Sequence, residues 1–461
     1  MRQNQQPFTQ WVQQPKLMRI ITDKIEPTND SITAQAGLMA PLQLMQSLGF
    51  SNIANQCLPQ PASNRGFAPA LYVQTLMLML HSGGECLEDV RSLREDQTLV
   101  DILDIKQFPA ARSLGEWLVR TGNQPQAMQA LTPMNRLLIS SALHRCQSVT
   151  LDIDATEIVA HKKGAKWTYN GNKGFMPIVG HIAETDQVVA YDFREGNVPP
   201  NKDNLAFIQK CEKALPAGCH VKAVRIDAAG YQRSIIEYCD AHGIAYAIRA
   251  TMIKSIRRWA SQRGDDEWEV MYDKQGQPTE QSVICTTHCI GDYDKPFKLI
   301  IQRQPKSPQA ELDLGTSDSQ DRAEYVHSGY IYRAISSNRE GSAQEIIDWY
   351  NQRGDASENR IKELKLDFGG DRLPCGDFKA NALYFGICTL AYNLFALMRQ
   401  LAPQQLGMRR IKSVRFRIYQ MAGKLIKTGR KLILKVKAQS ISRINELLRI
   451  FQQLRPPPKP A

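Results

Sequence analysis

At 461 residues, the chain is about three times the length that one hydrophobic core usually serves, so two to four packed units are expected. An apolar content of 43% excludes a largely disordered polymer, and ten scattered cysteines with no C-x-x-C pair read as reduced thiols of a cytoplasmic protein rather than a secreted disulfide framework. The net charge of +12 is concentrated between residues 409 and 455, where 14 Lys or Arg face the single acid Glu446 and leave the remainder close to neutral; such a footprint suits a polyanion, with a solvated positive surface or an anionic membrane as alternatives.

Residues 1–36 read as a flexible arm, since six of the first 14 are glutamine and no sustained apolar stretch marks a signal peptide. Residues 37–146 read as a helical DNA-binding domain, with apolar runs at 71–80 and 99–105 broken by Gly83, Gly84, Pro109 and Gly122. Within it, Ser113 stands as an N-cap and Glu116 completes a capping box before Trp117 and Leu118. That helix either packs Trp117 into a core or docks on DNA as a recognition helix.

From residue 147 the period becomes extended. Three β-branched runs (148–159, 175–183, 187–193) precede a helix at 204–214, a strand at 220–226, a helix at 234–241 and a strand at 244–250. That order is the order of a ribonuclease-H-like α/β core, here residues 147–250 and, after an interruption, 329–402. The interruption, residues 251–328, predicts a mostly β insertion with strands near 268–272, 282–289 and 297–302 and a polar loop at 305–324. Its Arg257, Arg258, Trp259 and Trp268 offer aromatics that either stack on a flipped base or sit in a β core. Cys285, His288 and Cys289 lack the fourth ligand of a structural zinc site.

The core resumes with a strand at 330–335 and a helix starting near Ser342. A second helix, 378–401, contains Tyr384, Thr389, Tyr392 and Asn393 in its most apolar stretch, which reads as a buried helix and not a membrane span. The basic segment, 403–461, alternates at Val414, Phe416 and Ile418 and again at Leu432, Leu434 and Val436, predicting a hairpin that turns its cationic face to DNA. A helix at 441–454 and a Pro-rich tail follow, and no internal repeat is present.

Two aspartates sit where strands disfavour them. Asp154 lies in the apolar run from Leu151 to Thr156, sharing a strand face with Asp152, its rival for the same role. Asp227 ends the strand at 220–226 and precedes Ala228, Ala229, Gly230 and Tyr231; carboxyl ends of strands are where α/β sheets hold ligands. Taken singly, each acid also suits a cap or salt bridge. Glu358 shares a helix face with Lys365, two turns on, and taken alone it reads as a solvated acid paired with Lys362.

Taken together, Tyr350, Arg353, Glu358 and Lys365, with Asp154-Ala155-Thr156, Asp227 before Gly230-Tyr231, and Ser337-Asn338, resemble the DDE transposases of bacterial insertion sequences, in the branch with a Tyr-Arg-Glu-Lys signature. Order and the final spacing agree, with one extra residue between Arg353 and Glu358 that a helix break at Gly354 would absorb. The resemblance implies Asp154, Asp227 and Glu358 as catalytic ligands of two Mg2+ or Mn2+ ions, which favour oxygen donors. It further implies end cleavage and joining of the 3′-OH to target DNA, phosphate contacts by Tyr350, Arg353 and Lys365, and a homodimer pairing two DNA ends. Arg409, Arg410, Lys412, Arg415 and Arg417 add the expected electrostatic contact to double-stranded DNA. A non-catalytic DNA-binding descendant and a ribonuclease-H-like nuclease without strand transfer are the alternatives.

Overall fold

The computed structural model describes residues 26–61, 66–143, 146–306, 323–429 and 431–454, and leaves out the side chains of 355–358. Residues 1–25 of the expected arm, most of the 305–324 loop and the Pro-rich end therefore lie outside the described residues.

A ten-stranded mixed sheet carries the fold. In chain order its strands are β1 (Ser148–Ala155), β2 (Ile178–Ile182), β3 (Val188–Asp192), β4 (His220–Ile226), β5 (Ala245–Ala250), β6 (Glu269–Tyr272), β7 (Pro278–Ile290), β8 (Tyr293–Pro305), β9 (Glu324–His327) and β10 (Tyr330–Ser337). Across the sheet they run β6-β7-β8-β10-β5-β4-β1-β2-β3, and β9 pairs with the first half of β10. β1, β4 and β5 are mutually parallel, whereas β2 and β3 follow β1 as an antiparallel meander. The interrupting segment is thus no separate body: β8 pairs along the whole of β10, so its strands widen the same sheet.

Helices cover both faces. Leu151 and Ile153 of β1 pack with Phe207 and Ile208 of α1 (Asn204–Ala214) and Ile235 and Ile236 of α2 (Arg233–Ala241). On the opposite face lie α3 (Ala343–Lys362), seated by Ile346, Ile347 and Tyr350, and α4 (Phe378–Leu401). Alternation along β1 therefore turns Asp152 and Asp154 toward α3. In α4 every residue from Ala380 to Met398 is buried. Its polar groups are satisfied inside: Asn393 accepts from the Val188 amide at 2.8 Å and donates to Asn135 Oδ1 at 2.6 Å, which lets a helix this apolar hold a protein core together.

The N-terminal helices close over the far side of α4. Trp117 is buried and stacks on Tyr72, with ring centroids 5.0 Å apart, so its helix packs as a core element. That helix, Ala111–Gly122, is capped at Ala110, so Ser113 lies inside it and Glu116 pairs with Arg112 at 2.7 Å instead of closing a capping box. Gly122 permits the close crossing, since a Cβ there would stand 2.7 Å from the Lys379 carbonyl oxygen.

Two expectations about the ends need correction. Residues 411–419 are helical, Ile411–Val414 running into a π-turn Arg415–Tyr419, because Ile411, Val414 and Ile418 share a helical face that is buried while Phe416 is 77% exposed. The hairpin instead joins Gly423–Thr428 to Lys431–Val436. Within the expected arm, Ile32–Thr33 forms a strand on that hairpin, which ties the two ends of the chain together.

Candidate active site

The parallel register of β1 and β4 pairs Asp152 with Arg225 and Ile153 with Ile226. Asp154 and Asp227 are the next residue on each strand, so two carboxylates arrive side by side at the carboxyl ends of neighbouring core strands. Asp227 leaves its strand at once and accepts a hydrogen bond from the Ala229 amide at 3.1 Å, which fixes its side chain at the start of a tight turn. Asp154 keeps 19% of its side chain exposed.

Helix α3 crosses directly above. Its start is secured by a capping box between Ser342 and Glu345. Further along, Arg353 is 8% exposed, donates to the Ile153 carbonyl oxygen at 2.9 Å and lies 3.4 Å from Asp154. Burial alone would lower the Arg353 pKa, but the carboxylates of Asp154, Asp227 and Asp152 outweigh it and hold the guanidinium charged. Tyr350 is buried beside it, and burial raises its phenol pKa. Both residues were expected to touch DNA phosphates. In this structure both are buried between α3 and the two carboxylates, with Arg353 against Asp154.

Contrary to the expected break, α3 runs unbroken through Gly354. The irregularity comes later, in a π-turn at Glu363–Asp367 marked by the Phe368 amide bonding the Glu363 carbonyl oxygen at 3.1 Å. Arg353 and Lys365 are roughly a third of a turn out of phase in an uninterrupted α-helix. The π-turn takes up about one extra residue and swings Lys365 back toward β1, where its ammonium donates to Thr156 Oγ1 at 3.1 Å and to the Glu157 carbonyl oxygen at 2.6 Å. Asp154, Thr156, Ile361, Lys362 and Lys365 border an open cavity of about 280 Å³. Glu358 belongs to the α-helical backbone one turn before Ile361 and Lys362, and its side chain lies outside the described residues.

Asp152 answers differently. It is fully buried and held in a bidentate pair by Arg225, at 2.6 and 2.8 Å, and Arg225 also donates to the Trp349 carbonyl oxygen of α3 at 2.6 Å. Arg360 of α3 reaches both Asp152 and Asp186, and Arg399 of α4 binds Asp186 at 2.9 Å. These ions bolt α3 and α4 to the sheet. Neither Arg225 nor Asp186 stands out among the sequence candidates; an arginine inside an apolar strand is the available signal for the first, while the second sits in a turn at φ 64° and offers none.

The basic segment docks against the same π-turn. Arg415, expected to contact DNA, donates to the carbonyl oxygens of Leu80 at 2.7 Å and His81 at 3.0 Å and to that of Asp367, so its guanidinium is engaged within the fold. Lys412 pairs with Asp367 at 3.2 Å through an exposed side chain, and Arg409, Arg410 and Arg417 are exposed. Trp268 is buried, with the Arg303 guanidinium 4.4 Å from its ring centroid, so it belongs to a core rather than to a base-stacking surface. Among the described residues no three His, Cys, Asp or Glu side chains gather as a metal cluster. Two carboxylates at the ends of neighbouring strands, one of them bordering the cavity, still form a donor set suited to hard divalent cations.

Residues 24–458 match the protein family described as Transposase DDE domain group 1. No curated protein matches the chain. Among solved structures, the cryo-EM structure of the piggyBac transposase synaptic complex with hairpin DNA is similar at a TM-score of 0.42 and 10% sequence identity, over 83% of this chain and 79% of that one.

Proposed function

Since the chain belongs to the Transposase DDE domain group 1 family, we propose that it cuts DNA at transposon ends and joins the freed 3′-OH to target DNA, using Asp154, Asp227 and Glu358. The observation carrying this reading is the arrival of Asp154 and Asp227 at adjacent strand ends under the helix that bears Glu358. Mg2+ or Mn2+ ions held by these carboxylates supply the Lewis acidity that in-line phosphoryl displacement requires. The chain's own residues do the rest. Arg353 holds the Asp154 carboxylate, and the hydrogen bond from Ala229 fixes Asp227, so neither acid has to be ordered when substrate arrives. Lys365, half-buried at the cavity rim, supplies a point charge for a phosphate. In this reading the sheet is a ribonuclease-H-like core extended by the inserted strands, the exposed cations at Arg409, Arg410, Lys412 and Arg417 follow the duplex, and two copies pair two ends.

A strand-transfer assay with labelled ends and Mg2+ tests the proposal. The native chain is expected to cleave and join, and Asp227→Asn to lose both activities. Full cleavage by that variant refutes the assignment; cleavage without joining by the native chain makes it a nuclease, and binding alone makes it a non-catalytic descendant.

A further inference from the structure

Immediately after Thr156 the chain leaves the sheet and builds a small three-stranded sheet from Ile158–Val159, Lys166–Trp167 and Lys173–Phe175. Its outer turn displays two aromatic rings that the fold does not use. Trp167 is 63% and Tyr169 67% exposed, against 1% for Trp117 and 7% for Trp268. Exposing two large rings within three residues costs burial that a structural role would recover. His161, Lys163, Lys166 and Lys173 surround them on the same small sheet and its turns, Lys173 sits 5.4 Å from the Trp167 ring centroid, and no acidic residue falls between 158 and 183.

The turn is also held firmly. Glu157 accepts hydrogen bonds from Thr168, from Asn170 at 3.2 Å and from Asn172 at 3.2 Å, and Lys365 grips the carbonyl oxygen of the same Glu157. Partial burial would raise the Glu157 pKa, but these donors keep it below the usual carboxylate range. One anchor therefore couples the aromatic turn to the strand bearing Asp154 and to the π-turn of the helix bearing Glu358. Rigid rings amid cations form the combination on which unpaired bases stack while their phosphates are neutralised, whereas fully paired duplex hides its base faces.

We infer that Trp167 and Tyr169 form a stacking platform for unpaired nucleotides beside the cleavage site. The inference rests on the proposed reading of that site, and its ligand is single-stranded nucleic acid with no base preference. The test compares the full-length chain on a blunt DNA duplex and on the same duplex with a short oligothymidine tail, by fluorescence anisotropy in EDTA so that no cleavage occurs. The native chain prefers the tailed duplex. Replacing both Trp167→Ala and Tyr169→Ala abolishes that preference, a loss of about tenfold or more on the tailed DNA, and leaves blunt-duplex affinity unchanged; Trp167→Phe with Tyr169→Phe retains it. A native chain that binds both DNAs equally refutes the platform and leaves the transposase reading intact, whereas binding to neither DNA sinks both. An alanine pair that keeps the preference, including one that keeps it while altering the oligomeric state, assigns the rings to another role and overturns the inference.

Discussion

At the scale of single residues, two aspartates on one strand face have opposite fates. Asp152 points into a dry interior and is matched by Arg225, so its charge is spent on holding α3 to the sheet. Asp154, two residues further along the same face, reaches the strand end and keeps part of its carboxylate open to the cavity. Breaking a buried ion pair leaves the other charge uncompensated, which typically costs about 3–5 kcal/mol. Asp152→Asn is therefore expected to lower unfolding stability by about that amount in denaturant titration, because Arg225 stays in place without a counter-charge of its own. A loss under about 1 kcal/mol, near the level of ordinary surface substitutions, would show that Arg225 does not depend on Asp152. Asp227→Asn, by contrast, alters a half-buried turn residue with one hydrogen bond and should leave stability nearly unchanged while removing cleavage.

At the scale of elements, the π-turn at Glu363–Asp367 joins parts that are far apart in the chain. Lys365 on one side meets the strand bearing Asp154, while on the other the Glu363 carboxylate accepts from the Ile411 amide at 3.2 Å and Asp367 holds Lys412. The cationic segment is thereby fixed next to the candidate site, and its five expected cations divide into one structural and four exposed. Changing Arg409, Arg410, Lys412 and Arg417 to glutamine is expected to weaken duplex binding and flatten the salt dependence, by up to roughly 0.9 in slope for each phosphate that is no longer neutralised. An unchanged slope in anisotropy titrations across salt would remove this segment from the DNA surface. Arg415→Gln should act differently, lowering thermal stability, because three backbone carbonyls lose their donor.

At the scale of the whole molecule, packing on the two sides of α4 buries two neutral histidines, His81 under the N-terminal helices and His181 against the sheet. His81, between Tyr419 Oη at 3.0 Å and the Ala391 carbonyl oxygen at 3.1 Å, and His181, on β2 beside Arg360 and Arg353, are both pushed down to about 3, chiefly by burial. In the unfolded chain each takes up a proton near pH 6.5. Below that pH the unfolded state binds more protons than the folded one, so stability is complete above about pH 6.5 and falls as the solution is acidified toward about pH 3. With both histidines contributing, the fall approaches about 2.7 kcal/mol per pH unit. Guanidinium unfolding at pH 7 and pH 5 checks this, since most carboxylates have yet to titrate there; equal stability at the two values would mean that both rings are protonated within the fold.

Sequence periodicity by itself determined the elements of the α/β core. The runs read as 204–214, 220–226 and 378–401 coincide with Asn204–Ala214, His220–Ile226 and Phe378–Leu401, because amphipathic and apolar patterns are properties of neighbours along the chain. It also singled out Asp154 and Asp227, since a carboxylate in an apolar strand costs desolvation unless it is paired or put to use. Only the tertiary structure decided which acid is paired. That depended on β4 setting Arg225 opposite Asp152, a match made across 73 residues of chain. The same holds for the burial of Arg353 and Arg415, for the strands between residues 269 and 305 joining the central sheet, and for residues 411–419, whose apolar spacing satisfies a strand and a helix alike until neighbours choose the face to bury. Local pattern specifies how a segment is wound; the partner of a charge is specified by what packs against it.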